Sequence, residues 1–226
     1  MPHRPTARGA PFIGVVWLVA AGLLVLSLGQ DLLLLEAPDA AVRRVWLIDV
    51  GREDSLLDWL HGGVLAAIAV LLFKVGRAER AAGDEFAAHW HLLAVAFGAV
   101  AVGELTHLHE PVLRATAPAL HPTWPPSPAL GLAIAAFALL GAAYARFVAA
   151  MPVEIRTLAI LVAVLFAVDA AAFDPLVDAA RRAQGPDGLG FRLTVTLEEA
   201  LELSAAALTL YAVSLCRRLQ QADGRA

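Results

Sequence analysis

The chain has 226 residues, 59% of them hydrophobic and 17% charged, with a net charge of −4 and a mean hydropathy of +0.69. Soluble domains run about 45–50% apolar and about 25% charged, so this composition argues against a soluble fold. The absence of a basic patch interleaved with aromatics argues against nucleic-acid binding, and the single cysteine, Cys216, excludes an internal disulfide.

A bilayer core about 30 Å thick needs about 20 apolar residues at helical rise. Six segments meet that requirement: residues 11–28, 56–75, 91–109, 129–148, 155–173 and 193–216. The expected fold class is therefore all-α, a polytopic membrane helix bundle of about six transmembrane helices, forming a single membrane domain over residues 1–226. Arg4 and Arg8 precede the first apolar run and suggest a signal peptide. A signal h-region spans only about 7–15 residues, whereas this run reaches Leu28, which favours a retained span.

Basic clusters set the expected orientation. Lys74, Arg77 and Arg80 lie at and just past the end of span two, Arg146 and Arg156 at the facing ends of spans four and five, and Arg217 and Arg218 follow span six. By the positive-inside rule both termini are expected in the cytoplasm, with the chain in the inner (plasma) membrane of a bacterium. Loops near residues 31–55, 111–127 and 174–192 then lie outside. The first contains 41–50, a candidate interfacial helix. Trp46, Trp59, Trp90 and Trp124 fall near span ends or loops, as interfacial anchors do.

Ionisable residues within the spans crowd into one leaflet. Span three ends Glu104-Leu-Thr-His107-Leu-His109-Glu110, and span six opens with Glu198, Glu199 and Glu202. Span five carries Asp169 near its outer end, and span two begins around Asp58 and His61. From the helical rise, Glu104 lies roughly 9 Å deeper than Glu110, Glu202 roughly 12 Å in from Thr194, and Asp169 roughly 6 Å deep. Each charge at mid-helix depth costs about 2.5–3.5 kcal/mol on insertion scales. No Lys or Arg lies in that leaflet of these spans to answer the acids, so bound cations, protons or a wet cavity must do so.

Helical phase pairs the groups further, because residues three or four apart share a face. Glu104 pairs with His107, His107 with Glu110, and Glu202 with both Glu198 and Glu199. Glu-x-x-His is the spacing that places two ligands on one turn in carboxylate-bridged metal bundles. Three readings follow. The first is a divalent metal site with Glu104, Glu199 and Glu202 as ligands, nitrogen from His107 or His109, and Glu198, Glu110 or Asp169 as acid/base or supporting groups. Such a site fits a metal-dependent enzyme acting on lipid-linked or membrane-surface substrates. The second is a cation or proton transporter using the same acids as relays. The third is a non-catalytic subunit of a membrane complex, with protonated carboxyls bonding across helices.

The stretches Arg52-Glu53-Asp-Ser-Leu-Leu-Asp-Trp59, Gly103-Glu104-Leu-Thr-His-Leu-His109-Glu110 and Glu198-Glu199-Ala-Leu-Glu202 carry a family resemblance. In their order along the chain they resemble an uncharacterised family of bacterial multi-pass membrane proteins. That family has an acid before a Trp opening the second span, an acidic/His-Glu motif ending the third, and Glu-Glu-x-x-Glu opening the last. The chain departs from it at Gly103, where the family carries an acid, and at His107, which is not typical of it. The resemblance implies a shared site, favours His109 and Glu110 over His107, and names no activity.

Overall fold

The structure is a computed structural model that describes residues 10–36, 44–52, 54–107, 128–222 and 224. It is all-α among these residues. Seven helices follow in order: α1 Ala10–Glu36, α2 Leu56–Ala81, α3 Ala87–Thr106, α4 Pro128–Ala150, α5 Val153–Val168, α6 Asp174–Gln184 and α7 Leu189–Ala222. A 3-10 turn, Trp46–Ile48, precedes α2, and a π-helical turn, Asp169–Phe173, joins α5 to α6. Five stretches are long and apolar enough to cross a membrane: Phe12–Leu35, Leu56–Ala81, Ala87–Thr106, Val153–Gln184 and Leu189–Ala222. These lengths and compositions mark a membrane protein. The fourth expected span falls in α4, whose described apolar part is Ala138–Ala150.

The packing follows membrane rules, in which small residues let helix backbones approach. On α2, Gly62, Ala69 and Gly76 recur every seventh residue. They meet Leu105, Gly98 and the His91/Trp90 pair of α3, also seven apart. A side chain at Gly62 would place its Cβ 2.6 Å from Leu105 Cγ, and one at Gly76 would lie 2.9 Å from the His91 ring. A heptad seam of this kind sets two antiparallel helices along each other over their length. It also sets His61 and Glu104, one residue before Gly62 and Leu105, side by side.

The 34-residue α7 runs through the centre and packs on α1, α2, α5 and α6. One buried cluster joins Leu65, Ile68 and Leu72 of α2, Ala94 and Ala101 of α3, and Ala206, Leu210 and Val213 of α7. A second joins Ala20, Val50, Leu57, Phe191, Val195 and Leu203 at the end where the acids lie. Meanwhile Phe12, Leu18, Val25 and Leu33 of α1 are exposed, as lipid-facing residues are.

Three local features differ from expectation. Residues 41–43 lie outside the described residues, and the rest of the candidate interfacial helix reduces to the Trp46–Ile48 turn. The loop expected over 174–192 contains α6, whose Pro175 suits a first turn because its missing N–H has no helical partner there. Val177 and Ala180 of α6 pack on the second cluster, while Arg181 and Arg182 stay at the surface. Trp90 is buried, 4.8 Å from the Phe147 ring in an edge-on contact, and is a core residue, not an interfacial anchor. Trp124 and the loop expected near residues 111–127 lie outside the described residues.

Candidate metal centre

The site is assembled from the first turns of α2, the last turns of α3, the π turn after α5 and the outer third of α7. Ser55 starts α2 with a reciprocal cap. Its Oγ accepts from the Asp58 backbone N–H at 3.2 Å, and its own N–H donates to Asp58 Oδ2 at 3.1 Å. The Ser55 hydroxyl also donates to Asp58 Oδ1 at 2.9 Å. Asp58 therefore has a structural duty: it holds orphan donors of the helix start, as a capping-box acid does.

One turn further, His61 is 5% exposed and meets both acids. Its Nδ1 lies 3.3 Å from Glu104 Oε1 and 3.5 Å from Glu202 Oε2. One atom from each of His61, Glu104 and Glu202 lies within 4.8 Å of the others. Three helices thus deliver one nitrogen and two oxygens to a point, a donor set that can hold a divalent metal ion. His61 Nε2 is buried without a hydrogen-bond partner among the described residues.

Further acids surround this triad. Asp169 is buried at the first position of the π turn, a wide helical turn that frequently marks functional sites. It shares a hydrogen bond with Glu202. Glu199 lies within electrostatic reach of Asp58, Glu104, Glu198 and Asp169. A cavity of about 250 Å³ opens over the group, lined by Asp58, Glu104, Glu198, Glu199 and Glu202, with His107, Arg52 and Arg181 also on its wall.

The expected site residues divide accordingly. Glu104 and Glu202 lie in the three-residue group, Glu199 and Glu198 on the cavity wall, and Asp169 against Glu202. His107 ends α3 in the left-handed conformation, at φ 51°, and turns Nε2 to Asp54 Oδ1 at 3.2 Å. That backbone turn removes it from the helical face it would have shared with Glu104. The nitrogen in the group comes from His61 instead. His109 and Glu110 lie outside the described residues.

The sequence carried two signals for His61: its depth level with Asp58, and Gly62 beside it in the α2 seam. Neither identifies it as a ligand without knowing that α2 packs on α3.

A second polar cluster sits at the same end, on the far side of Gly51. Arg192 Nη1 is 2.7 Å from Asp49 Oδ1, and its Nε is 4.0 Å from Asp31 Oδ1. Arg44 pairs with Asp31 and lies 3.6 Å from Asp49. Asp49 in turn accepts from the Gly51 N–H at 3.2 Å, and Ser27 Oγ accepts from the Val50 N–H at 3.2 Å. The segment from Val50 to Arg52 is therefore tied to α1 and α7 by buried bonds. Basic groups do reach this end of the bundle, but Arg44 and Arg192 are committed to aspartates and not to the glutamates.

A family model matches residues 15–216, a range that contains every residue of both clusters. The chain belongs to that family, described as a domain of unknown function, DUF8692. No curated protein and no solved structure matches the chain. Membership names no activity and leaves it to be argued from the site.

Proposed function

We propose that this protein is a metal-dependent membrane enzyme that binds a divalent cation through His61, Glu104 and Glu202 and acts on a lipid-linked or membrane-surface substrate. The observation that carries the reading is the convergence of those three donors, from three different helices, within 4.8 Å. Acids at this depth are costly, and a divalent ion offsets two of them at once. The positive-inside bias of the flanking arginines supports an inner-membrane chain with cytoplasmic termini and an extracytoplasmic site.

A bound ion supplies Lewis acidity to a water or substrate oxygen. The chain's own residues do the rest. His61, packed among α2, α3 and α7, fixes the positions of Glu104 and Glu202. Glu198 on the cavity wall and Asp169 beside Glu202 are the groups placed to accept or return a proton. Glu199 adds a further oxygen ligand within the cavity. Glu110 keeps the acid/base role proposed for it by its motif alone.

A cation or proton pathway is the second reading, favoured by the hydrogen bond between Glu202 and Asp169. It ranks below because the buried side chains on the inward side include Leu65, Ile68, Leu72, Ala206 and Leu210, an apolar layer, with no buried acid or histidine beside it among the described residues.

The test is metal analysis of the purified full chain against Glu104→Gln/Glu202→Gln. Wild type is expected to retain stoichiometric divalent metal after chelator-free purification, and the double variant to lose it. Equal, negligible metal in both would remove the reading.

A further inference from the structure

Among the described residues five arginines crowd the end of the bundle where the acids lie, and their partners sort them. Arg44 and Arg192 are held by buried aspartates, and Arg182 lies 3.7 Å from Asp178. Arg52 and Arg181 make no ion pair among the described residues, and both line the 250 Å³ cavity. Each is nevertheless positioned. The Arg52 N–H donates to the Asp49 carbonyl at 3.2 Å, so its backbone hangs from the buried Asp49–Arg192 pair. The Arg181 guanidinium stands 4.9 Å from the centre of the Phe191 ring, a cation–π contact that orients it without neutralising it.

One small cavity thus has an acidic floor and, on its wall, two guanidinium groups that make no ion pair among the described residues. The buried His61 ring, with Nδ1 against the Glu104 and Glu202 carboxylates, adds a nitrogen donor to this acidic floor. A ligand that satisfies floor and wall together must bring cationic charge to the carboxylates and anionic oxygens to the arginines. A divalent cation with a phosphate group does both: the metal bridges carboxylate and phosphate oxygens, and guanidinium forks match phosphate geometry. The volume agrees, since ligand pockets for whole drug-sized molecules begin at about 300 Å³ and a headgroup needs less.

We infer that the cavity binds a phosphate group, on a metal held by His61, Glu104 and Glu202 and clamped from the wall by Arg52 and Arg181. The inference rests on the metal reading above and adds the substrate class to it: a phosphate ester at the membrane surface. The phosphate belongs either to a lipid headgroup or to a soluble molecule.

The test uses the full chain in maltoside micelles, which carry no phosphate. Mn²⁺ binding is followed by electron paramagnetic resonance. Binding of inorganic phosphate and of lysophosphatidic acid is measured with and without Mn²⁺, with the matching monoacylglycerol as control. The Mn²⁺-loaded wild type is expected to bind at least one of the two phosphate compounds, and monoacylglycerol at least tenfold more weakly (about one order of magnitude for a lost charge-assisted clamp). Arg52→Gln/Arg181→Gln is expected to weaken phosphate binding by roughly tenfold or more while leaving Mn²⁺ affinity within about twofold. Arg181→Lys is expected to fall between.

Binding of inorganic phosphate points to a soluble source, and Arg-dependent binding of lysophosphatidic acid alone points to a headgroup. Either supports the inference. Retained Mn²⁺ with no phosphate binding, or phosphate binding that ignores the arginines, overturns it and leaves the metal reading standing. Failure of wild type to bind Mn²⁺ overturns both.

Discussion

Replacing Arg192 by Met keeps most of its volume and deletes its charge, so it isolates what the buried ion cluster contributes. The Arg192 and Asp49 side chains are only 8% and 4% exposed and sit 2.7 Å apart. Removing one partner from a buried pair costs about 3–5 kcal/mol, chiefly because the other charge is left without compensation. Two features place this case at the low end. Arg44 remains 3.6 Å from Asp49, and Asp187, the third partner of Arg192, is 81% exposed and regains water. The expected loss is therefore about 3 kcal/mol.

Unfolding free energy measured by steric trapping in bicelles gives the value, with Asp49→Asn completing a double-mutant cycle. The double variant Arg192→Met/Asp49→Asn is expected to recover about 1–2 kcal/mol relative to Arg192→Met, since no charge is then stranded. A single variant within about 0.5 kcal/mol of wild type, the range of an ordinary surface change, would refute the reasoning. A double variant no better than the single would show that the loss is packing and not charge.

The same cluster makes Gly51 intolerant of a side chain. An added Cβ would lie 2.5 Å from Arg192 Nη1, and Arg192 is held in place by Asp49. Gly51→Ala is expected to cost about 1–3 kcal/mol, as overpacking does, read by thermal denaturation in detergent. An unchanged midpoint would mean that the guanidinium retreats freely. The two histidines separate on metal affinity. His107→Ala, whose ring faces Asp54, is expected to lower Mn²⁺ affinity by about tenfold at most, and His61→Ala by more than about 100-fold, the range beyond that of supporting groups. The reverse order would put the nitrogen ligand on α3.

The helices themselves were legible because their causes are local. Apolar runs of membrane length dictate where a helix forms, and helical rise turns residue number into depth. Hence the sequence places Glu104, Asp169, Glu198, Glu199 and Glu202 in one layer, and the structure brings Glu104 and Glu202 into one group. Where backbone detail intervenes, that reasoning stops. His107 shares a face with Glu104 only while α3 stays helical, and α3 ends one residue earlier. Likewise α6 is an amphipathic surface helix of 11 residues, shorter than a span, and in the sequence it reads as part of the loop near 174–192.

The sequence by itself determined the class of the protein, the depth of its acids and the cost of leaving them uncompensated. Those follow from composition and from rise per residue, which need no knowledge of neighbours. Only the tertiary structure decided which nitrogen meets the glutamates and which arginines remain unpaired. The reason is geometric: ligands on different helices converge through interhelical packing. Here that packing is a seven-residue seam of Gly62, Ala69 and Gly76 on α2 against α3, which brings His61 to Glu104 across 43 positions of chain.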